Sequence, residues 1–140
     1  MATDQGEISP VELVADVLER LGDPTVTVVV GPASDSQQQA GVVSIVVAGL
    51  PEVERRVPVQ WARAQARCLA GSLETAERLA YGVQRDLHGR GRTIARMAST
   101  NQKYLIHLVN VTAGPSMHFD SPETWELLLF AEIMISSEPL

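Results

Sequence analysis

The chain has 140 residues, 45% of them hydrophobic but only 4% aromatic, with 17 acidic against 11 basic side chains and a net charge of −6. That length suits one domain, and the apolar fraction is enough for a core built from Val, Leu, Ile and Ala, which excludes a disordered chain. The net acidity excludes a generally basic nucleic-acid binder, because affinity for phosphates comes from a cationic surface.

The sum hides a pattern. Residues 1–51 carry seven acids and one Arg, residues 52–103 carry ten basic residues and five acids, and residues 104–140 carry five acids with no Lys or Arg. The middle of the chain is basic and both ends are acidic. Cys68 is the single cysteine, so no intrachain disulfide is possible and the fold must stand on packing, as suits a reducing cytosol. No apolar run reaches the roughly 20 residues that span a bilayer, and the start MATDQGEISP is polar and acidic, unlike a secretory leader. A soluble protein without membrane contact is expected, as one domain over residues 1–140 with a flexible stretch at 1–7 and a tail at 137–140.

In chain order, the first predicted helix opens at Ser9, with Pro10 in the first helical position and Glu12 completing a capping box. Val14, Val17, Leu18 and Leu21 share one face, Asp16, Glu19 and Arg20 the solvent face, and Gly22 stops the helix. The β-branched run Thr25 to Val30 predicts a strand, residues 31–41 a polar loop bounded by glycines, and Val42 to Ala48 a second strand buried on both faces. Gly49 to Pro51 makes a turn. From Val53 alternation returns: Val57, Val59 and Trp61 share one face, Arg56, Pro58 and Gln60 the other. Pro58 cannot donate to a ladder, so this strand is expected at an edge or with a bulge, running on with Arg63 and Arg67 on one side.

Ser72 to His88 predicts the second helix, with Leu73, Ala76, Ala80, Val83 and Leu87 as its apolar stripe and Gly89 at its end. HGRGRTIARM leads into a strand at Tyr104 to Thr112, and residues 114–122 read as a loop. The segment ETWELLLFAEIMI fits two readings. Leu, Glu and Ala favour a helix, whereas Trp125, Leu127, Leu129, Ala131 and Ile133 alternate as a strand able to pair with 104–112. The expected fold class is α/β in the α+β sense: a mixed or mostly antiparallel sheet with two main helices packed on it.

Motifs for catalysis are sparse. HGRGR is C-cap and turn, not a phosphate loop following a strand. His88, His107 and His118 are scattered, with no Cys or second His near any of them, so no metal site is expected. Ser116, His118 and Asp120 would lie on one side of an extended segment. A hydrolase needs such groups converging from different elements with an oxyanion hole, so no catalytic residue and no cofactor is assigned.

The arginines carry more. Between residues 55 and 96 there are nine Arg, and Lys103 is the lone Lys beyond them. Arg is favoured where planar, bidentate pairing with carboxylates or phosphates is wanted. For Arg78 and Arg85 a solvated helix face suffices. For Arg63, Arg67, Arg90 and Arg92 two readings stand: a phosphate-binding patch, as in a small nucleic-acid-binding module using HGRGR, or an interface with acidic surface.

The stretches VPVQWARAQAR (57–67), SLETAERLAYGVQRDLHGR (72–90) and YLIHLVNVTAGPSMHFDSPETWELLLFAEIMIS (104–136) resemble the tail terminator proteins of long-tailed bacteriophages, also described as minor capsid or tail completion proteins. In that family an Arg-bearing strand enters a helix, and a strand then leads through a Pro-containing loop to a long final strand. The likeness covers residues 8–136. It implies a structural subunit that forms a ring, a hexamer in the family. The ring caps the tail tube protein, ends its polymerisation and docks to the head-neck connector protein. Its place would be the virion's tail-neck junction, after assembly in the host cytoplasm, with DNA passing through unread. A head-tail connector or neck protein is the neighbouring alternative. The subunit contacts expected on this reading pair Arg63, Arg67, Arg90 or Arg92 with carboxylates such as Asp120, Glu123 and Glu126. The Gln-rich segment 31–41 is expected to order on a partner.

Overall fold

The computed structural model describes residues 8–47, 59–121 and 124–140, with Val47 and residues 113–121 described as backbone only. The expectations for residues 1–7, for the turn at 49–51, and for Arg56, Val57, Pro58 and Glu123 lie outside the described residues.

Helix α1 spans Pro10–Leu21. Ser9 caps it, its hydroxyl accepting the Glu12 N–H, and Pro10 stands where a missing N–H costs nothing. The reciprocal half of the expected capping box is absent. The Glu12 carboxylate instead takes the N–H and hydroxyl of Ser99, at 2.8 and 2.9 Å. Gly22 is the C-cap, its N–H bonding the Leu18 carbonyl, and a Cβ there would meet that same oxygen at 2.5 Å.

Strand β1 is only Val28–Val30. The expected start at Thr25 is overruled locally, since Asp23 accepts both the N–H and the hydroxyl of Thr25 (2.9 and 2.7 Å), forming an Asx turn that withdraws those residues from the ladder. The predicted loop 31–41 contains helix α2, Asp35–Ala40, closed by a Ser34–Gln37 capping box and ended by Gly41 at φ +105°. This segment is therefore ordered within the single chain. As the crossover between β1 and β2 (Val42–Val47), α2 makes that pair parallel.

Strand β3 (Val59–Ala70) pairs with β2 on one side and on the other with β6 (Thr124–Ser136), both antiparallel. It is an interior strand, not the expected edge, and its register with β6 is unbroken from Val59 to Ala70. The proline argument applies only where an N–H is required, and no residue of β3 is proline.

Helix α3 (Leu73–Leu87) is capped by Ser72, with Ala76, Leu79, Ala80, Val83 and Leu87 buried. Strand β4 (Gly91–Arg96), not predicted, alternates exposed Arg92, Ile94 and Arg96 with buried Thr93 and Ala95. Strand β5 runs over Lys103–Ser121, so the predicted loop 114–122 is extended backbone through Ser121, paired with β6. The ladder slips between Ala113 and Ser116, where Gly114 and Pro115 interrupt it, and Pro115 lacks the N–H a regular rung needs. The ambiguous last segment is a strand. Its odd residues Leu127 to Ile135 are buried and its even residues from Leu128 onward are half-exposed, a period of two that no helix produces.

The result is α+β, one curled mixed six-stranded sheet in the order β1-β2-β3-β6-β5-β4 with three helices, two of them long. The curl is visible in α1, which lies against both β1 and β4 although these are opposite edges of the sheet. α1 and α3 cover one sheet face. There Ala62, Ala64 and Ala66 of β3 leave room for close helix approach, while Leu129, Ile133 and Ile135 of β6 supply the bulk. Burying each of those large side chains contributes about 1.5–3 kcal/mol.

Candidate interaction surface

The second face of β3, β6 and β5 carries the residues of interest. The register sets them in rows: Trp61 opposite Met134, Arg63 opposite Glu132, Gln65 opposite Phe130, and Arg67 opposite Leu128. Leu108 continues the first row and Asn110 the second. Trp61 is 47% exposed, Ile94 on β4 is 49% exposed, and Leu108, Leu128, Phe130 and Met134 are half-buried. An exposed indole and several half-exposed apolar side chains are thus grouped on one sheet face.

Two ion pairs are set into this face, and they differ. Arg63 reaches Glu132 directly across the strands, Nη2 to Oε1 at 2.9 Å, with side chains 66% and 30% exposed. A pair so solvated contributes about 0–1 kcal/mol. Arg67 reaches diagonally to Glu126 with a fork, Nε to Oε1 at 2.7 Å and Nη2 to Oε2 at 3.0 Å. Glu126 is only 2% exposed, so its charge depends on that guanidinium. Leu69, opposite Glu126, is buried, as is Ser44, opposite Arg67, at the end of the sheet where α2 meets β3 and the Gly71 N–H bonds the Gln39 carbonyl at 3.3 Å.

The sequence-predicted residues thus divide. Arg67 and Glu126, expected to pair between subunits, are brought together within one chain, and Arg63 is held by Glu132, which was not foreseen. Arg90 donates from Nε to the Asp86 carbonyl at 2.7 Å and so closes the end of α3. Arg92 is exposed with a left-handed φ of +45° and has no partner among the described residues. Asp120 lies in the far part of β5, where only the backbone is described, and Glu123 is outside the described residues. Ser116 and His118 stand opposite Leu128 and Glu126 in the register. HGRGR is the turn from α3 into β4, with Gly89 at φ +78°.

Three residues escaped sequence reasoning. Trp61 was placed on a face but not recognised as exposed. Asp16 and Arg20, assigned to solvent, bond the outer edge of β4: Asp16 accepts the Arg96 N–H, and Arg20 donates to the Ile94 carbonyl. The signal for β4 was present in the alternation Arg92, Thr93, Ile94, Ala95, Arg96.

Among the described residues titration is shifted at three groups. Burial, reinforced by the Glu126 charge, pushes the Cys68 thiol up to about 12. Burial also raises the Tyr104 phenol, whose hydroxyl donates to Gln102 at 3.1 Å. Bonds from the Thr25 hydroxyl and N–H lower Asp23. Among the described residues no group of three His, Cys, Asp or Glu is placed to hold a metal ion, and no helix is long and apolar enough to cross a membrane. Comparison with protein-family models finds no match to this chain, and comparison with curated proteins finds none either.

Proposed function

We propose that this chain is a structural ring subunit of a long-tailed phage, a tail terminator that caps the tail tube and meets the head-neck connector. The observation that supports the reading best is the sheet face around Trp61, where exposed and half-exposed apolar side chains and paired charges lie together and no described helix packs. A partner surface is the economical explanation of such a face, because both ion pairs are formed before anything binds. The resemblance of residues 8–136 to tail terminators supplies the particular assembly. The contact expected across subunits moves accordingly. Arg67 and Glu126 stabilise the fold, whereas Trp61 and the solvated Arg63 offer themselves to a neighbour.

The test is assembly. Purified protein sedimented at low salt should form a closed oligomer, and Trp61→Glu should reduce it to monomer while leaving the far-ultraviolet dichroism intact. Added to tail-tube subunits, the wild-type protein should bind the tube end and stop elongation. A wild-type protein that stays monomeric and leaves tube growth unchanged would overturn the proposal.

A further inference from the structure

Where β4 meets the start of β5, a depression of about 350 Å³ is lined by Arg20, Ile94, Arg96 and Lys103 together with Asp16. Its cations come from three elements. Arg96 stands directly opposite Lys103 in the antiparallel ladder, and both are exposed. Arg20 reaches the same place from α1, its side chain 49% exposed. Like charges directly opposite each other destabilise a strand pair, so this row is favourable only with a counter-charge beside it.

The described carboxylates nearby do not supply it. Asp16 Oδ2 is already shared by Arg20, at 3.1 Å, and the Arg96 N–H, at 2.9 Å. Glu138 lies in the tail whose Leu140 N–H bonds the Lys103 carbonyl at 2.8 Å, but it is exposed and forms no ion pair among the described residues. The donors, meanwhile, are held ready. The Asn101 side chain takes only Nη1 of Arg96, at 2.8 Å, and so fixes the guanidinium with its Nε–Nη2 edge open. Lys103 has no side-chain partner among the described residues, and neither has Arg92, likewise exposed on β4. An open guanidinium fork beside an ammonium matches the oxygens of a phosphate.

We infer that this corner of the sheet binds the phosphate backbone of a nucleic acid, one phosphate between Arg96 and Lys103 and another at Arg92. Four residues of strand at ~3.3 Å each set the two positions about 13 Å apart. No single phosphate fills both, whereas a chain of phosphates does, with Ile94, 49% exposed, between them. The contact is blind to sequence, because it goes to phosphates and not to base edges. The net charge of −6 opposes any wider contact, so the affinity is modest and falls with salt. The inference goes beyond the ring reading and does not rest on it, since one copy carries the whole patch.

The test follows the fluorescence anisotropy of a labelled duplex DNA mixed with the full chain at rising salt. Association at low salt is expected, with the logarithm of affinity falling against that of salt at a slope of about −2 to −3. Arg96→Gln with Lys103→Gln should weaken it about tenfold or more. Arg78→Gln with Arg85→Gln, on α3, changes net charge by the same amount and should leave the affinity within about twofold. Arg92→Gln removes no described contact of the fold and should by itself reduce the slope by about one, so it reads the patch even where the double variant does not fold. Inorganic phosphate, at matched phosphate concentration and constant ionic strength, should compete poorly. No association at low salt, or equal losses in the α3 and β4–β5 variants, would overturn the inference. So would full competition by inorganic phosphate with Arg92→Gln silent, which would assign the site to a free phosphate.

Discussion

Asp16 Oδ2 accepts the backbone N–H of Arg96 at 2.9 Å, so a side chain of α1 occupies a hydrogen-bonding position at the outer edge of β4. The same oxygen holds the guanidinium of Arg20 at 3.1 Å, and Arg20 in turn donates to the carbonyl of Ile94. Ile94 and Arg96 are alternate residues, so their backbone groups point to the same side of the strand. One helical i,i+4 pair thereby takes the place of a neighbouring strand and closes an edge that would otherwise be open to pairing with another chain.

Asp16→Ala should therefore do two things. It should destabilise the fold by about 1–2 kcal/mol, since an N–H loses its acceptor and Arg20 its partner. It should also uncover the β4 edge and raise concentration-dependent association. Asp16→Asn, which keeps an acceptor oxygen, should retain most of both properties. Urea unfolding with light scattering on the same samples reads both effects; equal behaviour of the Ala and Asn variants would show that the edge bond contributes nothing.

The two ion pairs on the open sheet face predict opposite outcomes for similar mutations. Arg63→Ala should change stability by less than about 1 kcal/mol, because the Arg63–Glu132 pair is solvated. Arg67→Ala should cost about 3–5 kcal/mol, because it strands the buried Glu126 charge. Arg67→Met with Glu126→Leu should recover most of the loss. Equilibrium unfolding of the three variants decides, and comparable losses for Arg63→Ala and Arg67→Ala would refute the distinction.

Much of this architecture could be read beforehand. Ser9 with Pro10, and Ser72 with the stripe ending at Leu87, mark their helices through caps that act within one turn. Where the outcome depended on distant chain, reading failed for physical reasons. The segment 114–122 looks like a loop because Gly, Pro, Ser and Asp favour turns, yet as far as Ser121 its backbone pairs with β6, with a slip at Gly114 and Pro115. The alternating run 124–136 became unambiguous only once β3 and β5 flanked it. In the same way the basic middle and acidic end promised attraction between copies, but strand order sets β3 beside β6, so Arg63 and Arg67 find Glu132 and Glu126 in their own chain. Composition records opposite charges without saying which strands are neighbours.

Cys68 predicts an alkaline weakness. Its thiol titrates near 9.0 in an open chain and at about 12 in the fold, held up by burial and then by the Glu126 charge. The native state therefore keeps its proton where the unfolded chain has lost it. The stabilisation is complete below pH 9.0 and is lost as pH rises towards the folded value, at up to about 1.4 kcal/mol per pH unit. Tyr104, also raised, adds a loss of the same sign above its ordinary value of 10.0. Cys68→Ala should be less stable than wild type at neutral pH for want of packing, but its stability should fall more slowly between pH 9 and 10. Parallel curves for the two proteins would remove Cys68 as the cause.

His88 joins α3 to β5 through its ring. The imidazole Nδ1 accepts the Val111 N–H at 3.0 Å, while the Gly89 N–H bonds Val109 and the Val109 N–H bonds Arg90, each at 2.8 Å. Residues 88–90 thus extend the β5 ladder before β4 begins. An accepting Nδ1 places the ring proton on Nε2. His88→Asn offers Oδ1 at a similar reach; His88→Ala offers nothing. Amide exchange at Val111, measured relative to Val109 in the same sample, should be slow in wild-type protein and faster in His88→Ala, and His88→Asn should stay protected. Val111 protection that follows Val109 in all three proteins would mean that the ring does not hold the strand.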